Sequence, residues 1–459
     1  MFHRLKNIHM VGIGGAGMSG IAEILLNRGH NITGSDLNLT EVTARLEQLG
    51  ATIMAGHDAA NLQQADVVVI SSAVPETNPE VVAAKERGIP VIKRSIMLAE
   101  LMRMHYGICI AGTHGKTTTT SMVGCIVRDA GLDPTIIVGG RVGYLQSNAH
   151  AGKGEYLIVE ADEFDRTFLE LTPSIAVITT IESEHLDCYE DINDIKQAFL
   201  TFAAKVPFYG AVIACLDNPG VQEIIPQLQT RKRLITYGIE NPQATFQAYP
   251  VDRASSTFEV RLEGTSLGKI HLKSPGDHNI SNALAAVAVA SELEIPFDQI
   301  KAALEGFSGV HRRFEIKGEI ESITVADDYA HHPTEVKATL KAAQQSGYQR
   351  VVVVFQPHLY TRTRDFCDEF ARSFYQADVL IVTDVYPSRE KPIEGITGKL
   401  IADAAKTYGH KQVHYIADKV DVPAYLAKIT RAGDLVLTMG AGDIVHFGER
   451  FLQQLSEKG

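Results

Sequence analysis

The sequence predicts an α/β protein of three domains, and three observations carry that prediction. Apolar runs of strand length alternate with helical stretches along most of the chain, the pattern of parallel sheets joined by crossover helices. At 459 residues the chain is too long for one core, and a soft prior of about 150 residues per domain gives three. Glycine-rich turns follow strands in the first and second stretches, at the strand ends where open α/β sheets bind ligands.

Composition narrows the class. Hydrophobic residues make up 45% and charged residues 21%, and no apolar run approaches the roughly 18 residues of a membrane span, so no membrane insertion is expected. The opening Met1-Phe2-His3-Arg4-Leu5-Lys6 enters a strand without the apolar segment or cleavage site of a signal peptide, which points to a cytoplasmic location. Cys109, Cys125, Cys188, Cys215 and Cys367 are scattered without C-x-x-C spacing, so reduced, buried thiols are expected. A formal charge of −12 with no basic run argues against nucleic-acid binding. Any anionic ligand must then be held by local glycine loops and a few placed cations.

The first domain, residues 1–104, opens with Ile8-His9-Met10-Val11, the loop Gly12-Ile13-Gly14-Gly15-Ala16-Gly17-Met18-Ser19, and a helix through Leu26. It resembles a Rossmann dinucleotide fold, and a second strand ends at Asp36, about where a ribose hydroxyl would be read. Strand residues 66–70 run into Ser71, Ser72 and Ala73, small residues expected to line the same crevice.

The second domain, residues 105–308, carries the most informative run: Gly112, Thr113, His114, Gly115, Lys116, Thr117 and Thr118 join an apolar strand to a helix. Such a turn is suited to phosphates. Glycines let backbone N–H groups approach the oxygens, the helix start adds its positive dipole end, Lys116 adds a charge, and the Thr117 hydroxyl reaches a Mg²⁺. It is not a strict Walker A sequence, because Ile110 stands where that pattern needs glycine. The strand 156–159 leads into Glu160-Ala161-Asp162-Glu163, and a carboxylate beside a phosphate loop commonly serves Mg²⁺, which favours Glu160 as a metal contact. On chemistry alone His185 stays open between a structural and a metal role. Residues 246–272 alternate apolar and polar, the pattern of an antiparallel hairpin inserted in this domain. His278, Asn279 and Asn282 then open an alanine-rich helix, where side-chain amides either cap the helix or read an adenine edge.

The third domain, residues 309–459, again alternates strands and helices and is expected to be Rossmann-like. His311-Arg312-Arg313-Phe314 links it to the second, and polar clusters Asp327 to Pro333 and Gln356 to Arg364 follow two of its strands. A shared strand edge makes both clusters ligand-facing.

Taken together, Gly112 to Thr118, Glu160 to Glu163, His185-Leu186-Asp187, Pro275 to Asn279, Arg312 to Glu315, Asp327 to Glu335 and Arg362-Thr363-Arg364 resemble the Mur ligases in order and spacing across the whole chain. Within that family, Gly12 to Ser19 and Gln356-Pro357-His358 resemble the members that add alanine to UDP-N-acetylmuramate in peptidoglycan precursor synthesis. The resemblance implies that the first domain holds the UDP-sugar, the second ATP, and that the third closes with the amino acid. ATP would phosphorylate the muramyl carboxylate, and the amine of alanine would attack the acyl phosphate. The loop Gly14, Gly15, Ala16, Gly17, Met18 and Ser19 would bind diphosphate without hydride chemistry. By the same carry-over Lys116, Glu160, His185 and His331 are catalytic, and Thr117, Glu160 and His185 contact Mg²⁺. His278, Asn279, Asn282, Arg313 and Asp328 lie near the nucleotide, and Tyr329, His331, His358 and Arg362 line the amino-acid and muramyl-carboxylate pocket. A monomer or weak homodimer is expected.

There are departures from the family pattern. Leu359 stands where several alanine-adding relatives have arginine, Thr180 replaces a common asparagine, and Leu200 replaces the lysine that other members carbamylate. The alternative within the family is the ligase that joins a preformed L-Ala-D-Glu-diaminopimelate tripeptide to the same sugar.

Overall fold

The computed structural model of the chain describes residues 5–71, 73–142, 145, 147–164, 166–183, 188–229, 232–253, 255–388 and 390–457. Three sheets organise it. The first has five parallel strands, β1 (Asn7–Val11), β2 (Asn31–Asp36), β3 (Thr52–Ala55), β4 (Val67–Ile70) and β5 (Val91–Lys93), in the order β3-β2-β1-β4-β5. Strand order reverses between β1 and β4, which opens a crevice at their carboxyl ends. Helices cover both faces, so β4 is buried at every residue and reads as a continuous apolar run.

The second sheet has ten strands: β6 (Tyr106–Ala111), β7 (Thr135–Val142), β8 (Ser147–His150), β9 (Tyr156–Ala161), β10 (Ile175–Ile178), β11 (Ala211–Cys215), β12 (Arg233–Gly238), β13 (Phe246–Asp252), β14 (Thr257–Leu262) and β15 (Thr265–His271). Their order is β15-β14-β13-β12-β11-β10-β6-β9-β7-β8, with β6 parallel to both β9 and β10. The carboxyl ends of these three strands therefore meet beside residue 112. The alternating segment is the edge of this sheet. Its tip, Glu263-Gly264, has positive φ at both residues (47° and 82°), the two-residue turn that matches strand twist.

The third sheet comprises β16 (Glu315–Ile320), β17 (Ile323–Asp328), β18 (Arg350–Phe355), β19 (Val379–Val382), β20 (Val413–Tyr415) and β21 (Asp434–Met439), in the order β16-β17-β21-β18-β19-β20. Only the edge strand β16 runs antiparallel.

Contacts divide the chain into two compact units, one of residues 1–249, 260–268 and 281–307, the other of residues 250–259, 269–280 and 308–459. In the first unit one apolar cluster runs through the first two sheets, and a second covers the other face of the first sheet. The helix Arg94–Met102 feeds Met97, Leu98, Leu101 and Met102 into the same cluster as Cys109, Phe168 and Phe199. In the second unit the period-two alternation of β18 sends Val353 and Phe355 toward Phe370 and Phe374 on one face, and Val352 and Val354 toward Phe451 and Leu455 on the other.

Behind the first crevice, fully buried Glu80 accepts hydrogen bonds from Ser35 Oγ and Asn61 Nδ2 (2.6 Å each) and lies 3.6 Å from His9 Nε2. Burial alone would raise its pKa, but the hydrogen bonds from His9, Ser35 and Asn61 outweigh it and hold the carboxyl at about 2. Cys109, Cys125 and Cys215 are buried free thiols as expected, whereas Cys188 and Cys367 are only partly buried. Among the described residues, no helix is long and apolar enough to cross a membrane.

Candidate active site

The phosphate loop begins where β6 ends. Gly112 (φ 139°) and Gly115 (φ 81°) both adopt backbone that side chains rarely take, and a Cβ at Gly112 would collide with Thr179 Oγ1. Gly115 caps the helix Lys116–Asp129. The loop is pinned from β10: Thr113 N and His114 N donate to Thr180 O and Oγ1 at 3.0 and 2.8 Å, and Thr179 Oγ1 donates to His114 O at 2.5 Å. Thr180 thus has a definite task, bracing the loop through its hydroxyl. His114 Nε2 lies 3.5 Å from Glu182, and Thr118 is turned inward and buried.

Lys116 Nζ lies 2.7 Å from Gly112 O and 2.8 and 3.0 Å from the two oxygens of Glu163. Thr117 Oγ1 donates to Glu160 Oε1 at 2.5 Å, and Gly139 N donates to Glu160 Oε2. Burial raises the Glu160 pKa against these hydrogen bonds and the Lys116 charge. A hydroxyl and a buried carboxylate side by side offer the hard oxygens a divalent cation takes, and such a cation would relieve the cost of burying the charge. His185 lies outside the described residues. Asn282 sits against this loop: its Oδ1 accepts from Thr119 Oγ1 at 3.2 Å and would lie 2.5 Å from a Cβ at Gly115.

In the first sheet, Gly12 N and Ile13 N donate to Ser35 O at 2.8 and 3.1 Å, and Asp36 Oδ2 accepts from Gly14 N at 2.9 Å. Asp36 therefore shapes the glycine loop directly. Gly15 caps the helix Ala16–Asn27, and a Cβ at Gly17 would fall 2.8 Å from Arg94 Nη1, so glycine is needed for that close approach. Met18 and Ser19 are buried, and Ser19 Oγ accepts from Asn148 Nδ2. Ser71 Oγ approaches Gly12 across the crevice, Ala73 is exposed, and Ser72 lies outside the described residues. A cavity of about 310 Å³ runs from Gly14 and Ser19 past Glu23 and Arg45 to Gly139, the residue whose N–H meets Glu160. It lies within one unit and runs from the glycine loop to the backbone of Gly139 and Gly140.

The second unit gathers the remaining candidates. Arg312 is structural: its guanidinium bonds Asp327 Oδ2 (2.8 Å), Gly442 O (2.9 Å) and Gly440 O (2.6 Å). Arg313 approaches Glu335 at 3.5 Å and lies 5.3 Å from the Tyr329 ring centre. Asp328 accepts from Phe314 N and Ala330 N at 2.8 Å each, and burial pushes it up to about 6. His278 is lowered to about 4 by burial and then by the Arg313 charge, so it is neutral at physiological pH. Asn279 Nδ2 donates to Pro275 O at 2.7 Å, closing its own turn.

An aromatic row follows. His331 packs edge-on to Tyr329 (5.2 Å) and to His358 (5.8 Å), and His358 stacks on Tyr386 (6.0 Å). Arg362 Nη1 lies 3.4 Å from His358 Nδ1. His331 Nδ1 lies 3.0 Å from Tyr329 O and 3.2 Å from Glu335 Oε2, two acceptors that favour a proton on Nδ1. Next in sequence to His358, Leu359 has φ 69° and ψ 136°, a strained backbone for a branched residue. Sequence reasoning missed Arg94, Glu163, Thr179 and Tyr386. Glu163 stood in the acid run after strand 156–159 and Thr179 immediately after an apolar strand, so the sequence placed both without assigning their partners.

Residues 7–106, 110–290 and 312–442 match in order the family descriptions "Mur ligase family, catalytic domain", "Mur ligase middle domain" and "Mur ligase, glutamate ligase domain". The chain belongs to the Mur ligase family. It is 52% identical over 459 residues to a "UDP-N-acetylmuramate--L-alanine ligase" of Geotalea daltonii, with 100% of each chain covered. A protein of the same name from Salinibacter ruber is 54% identical over 461 residues, covering 99% of this chain and 96% of that one. Among solved structures, the UDP-N-acetylmuramate-alanine ligase of Thermotoga maritima matches with a TM-score of 0.83 at 30% identity, covering 99% of this chain and 100% of that one. A murein peptide ligase from Psychrobacter arcticus gives 0.71 at 25% identity, with 98% of each covered.

Proposed function

We propose that this protein is an ATP-dependent ligase that joins L-alanine to the carboxylate of UDP-N-acetylmuramate through an acyl phosphate, a step of peptidoglycan precursor synthesis in the cytoplasm. The observation that carries the chemistry is the pairing of Lys116 and Thr117 with acids at the end of the neighbouring strand β9. The full-length likeness to relatives named for alanine addition carries the substrate.

A carboxylate accepts an amine poorly until one oxygen becomes a leaving group, so phosphoryl transfer must come first. Residues 112–118 cradle the ATP phosphates with backbone N–H groups, and Lys116 balances charge on the transferring group. A Mg²⁺ at Thr117 and Glu160 would supply further neutralisation of phosphate charge, and His185 is assigned to a second ion on family resemblance. The division of labour follows residues 1–104 for the UDP-sugar, 105–308 for ATP and 309–459 for the amino acid. Gly14 to Ser19, with Arg94, receive the diphosphate. His278 stays neutral beside the nucleotide, and Asn282 secures the loop that holds its phosphates. Tyr329, His358 and Arg362 orient alanine, and His331 takes a proton from its ammonium group.

The tripeptide-joining alternative is weaker, since the solved murein peptide ligase shares 25% identity against more than half for the alanine-named relatives. The deciding experiment measures phosphate release with Mg²⁺, ATP and UDP-N-acetylmuramate, adding L-alanine or the L-Ala-D-Glu-diaminopimelate tripeptide separately and recording product mass. Alanine-dependent release with the matching amide establishes the proposal. Release with tripeptide alone overturns it.

A further inference from the structure

The carboxyl end of β9 and the residues just beyond it carry two glutamates with separate partners. Glu160 meets the Thr117 hydroxyl, whereas Glu163 is turned inward, with 1% of its side chain exposed, and grips Lys116 with both oxygens. The grip is built. Glu163 O accepts from the hydroxyl of buried Tyr189 at 2.6 Å and from Arg166 N at 3.0 Å. The Arg166 guanidinium lies 4.5 Å from the Tyr189 ring centre and pairs with Asp194, so the loop is fastened on two sides.

An ammonium has three hydrogens. Around that of Lys116 stand the two Glu163 oxygens, Gly112 O at 2.7 Å and Thr113 O at 3.4 Å. A phosphate oxygen can take a hydrogen bond from Lys116 only by sharing or displacing one of these. The carboxylate is the competitor that matters, since it carries the same charge as the incoming phosphate and sits where little water screens it.

We propose that Glu163 is a positioning residue that sets the anion affinity of the phosphate loop, holding Lys116 aimed along the loop and opposing phosphate binding with its own charge. The proposal rests on the reading of residues 112–118 as the ATP phosphate loop.

The test is the affinity for Mg·ADP, measured by calorimetry on the full chain. Glu163→Gln keeps the shape and removes the charge, and is expected to tighten binding about tenfold, equivalent to about 1.4 kcal/mol. Glu163→Asp, with the carboxylate drawn back by one methylene, falls between Gln and wild type, and answers the question if the Gln variant does not fold. In a Lys116→Ala background the gain from Glu163→Gln vanishes, because the effect runs through the lysine. Affinity equal to or weaker than wild type in the Glu163 variants overturns the proposal, as does a gain that survives Lys116→Ala. If Lys116→Ala alone leaves Mg·ADP binding unchanged, the phosphate-loop reading itself fails, which separates the two outcomes.

Discussion

Thr117 Oγ1 and Glu160 Oε1 lie 2.5 Å apart, joining the first turn of one helix to the end of the neighbouring parallel strand. Glu160→Gln keeps a hydrogen-bond acceptor and removes the charge. Ligation should fall about a hundredfold or more in kcat, as for other losses of charge stabilisation at a reacting phosphate, while thermal stability stays near wild type or rises. Coupled phosphate-release assays and melting curves check both; undiminished turnover would remove Glu160 from the metal site.

Lys116→Ala should abolish alanine-dependent phosphate release while UDP-N-acetylmuramate binding changes less than about twofold, because the glycine loop 12–19 stands on a different sheet. Calorimetry with the UDP-sugar decides the point. Equal loss of both would mean that the two loops do not act separately.

Glu80 gives an acid limb to stability. Its pKa is depressed to about 2 in the folded chain, so its contribution is complete above the ordinary value of 4.5 and disappears as pH falls from 4.5 toward 2. At about 1.4 kcal/mol per unit the limb is worth about 3 kcal/mol. Urea midpoints of Glu80→Gln should lie well below wild type at pH 7 and approach it only as pH falls toward 2; parallel curves would refute the assignment.

His278 is held at about 4 in the folded chain, below its ordinary 6.5. Folding therefore resists its protonation, and any stabilisation from the neutral ring is complete above pH 6.5 and lost as pH falls toward 4. Mg·ADP affinity should show no inflection traceable to this histidine between pH 8 and 6. A step near 6.5 that disappears in His278→Gln would contradict the buried, neutral ring.

Leu359 adopts φ 69° in a row of aromatic and basic groups. Leu359→Arg leaves the backbone cost unchanged, since arginine is no happier there than leucine, so its effect isolates the added charge. The KM for L-alanine should fall severalfold with little change in kcat. No change would mean that Arg362 already supplies the carboxylate contact.

Much of this was legible in the sequence because apolar runs fix strands and the residues just beyond them fix strand ends. Gly112 to Thr118 and Glu160 fall at the carboxyl ends of β6 and β9 for that reason, and the parallel pairing of those strands brings them together. The sequence did not reveal which partner each polar side chain selects. Asp36 accepts from Gly14 N across 22 residues of sequence, a tertiary bond that no local pattern announces, and Asn279 closes its own turn through a local bond to Pro275 O. Arg94 approaches Gly17 through tertiary packing that no local spacing encodes. The alternating segment was recognised by its period, but its place at the edge of a ten-stranded sheet is a long-range property.

The apolar core common to the first two sheets bears on how the chain can be cut. A boundary at residue 104 looks natural in the sequence, yet the helix Arg94–Met102 contributes Met97, Leu98 and Leu101 to a cluster whose other members include Phe168 and Phe199. A fragment ending there would present that helix face bare to water, and the remainder would lose its cover. Expressed separately, the two pieces should aggregate or seek each other out, because each leaves part of one shared core uncovered.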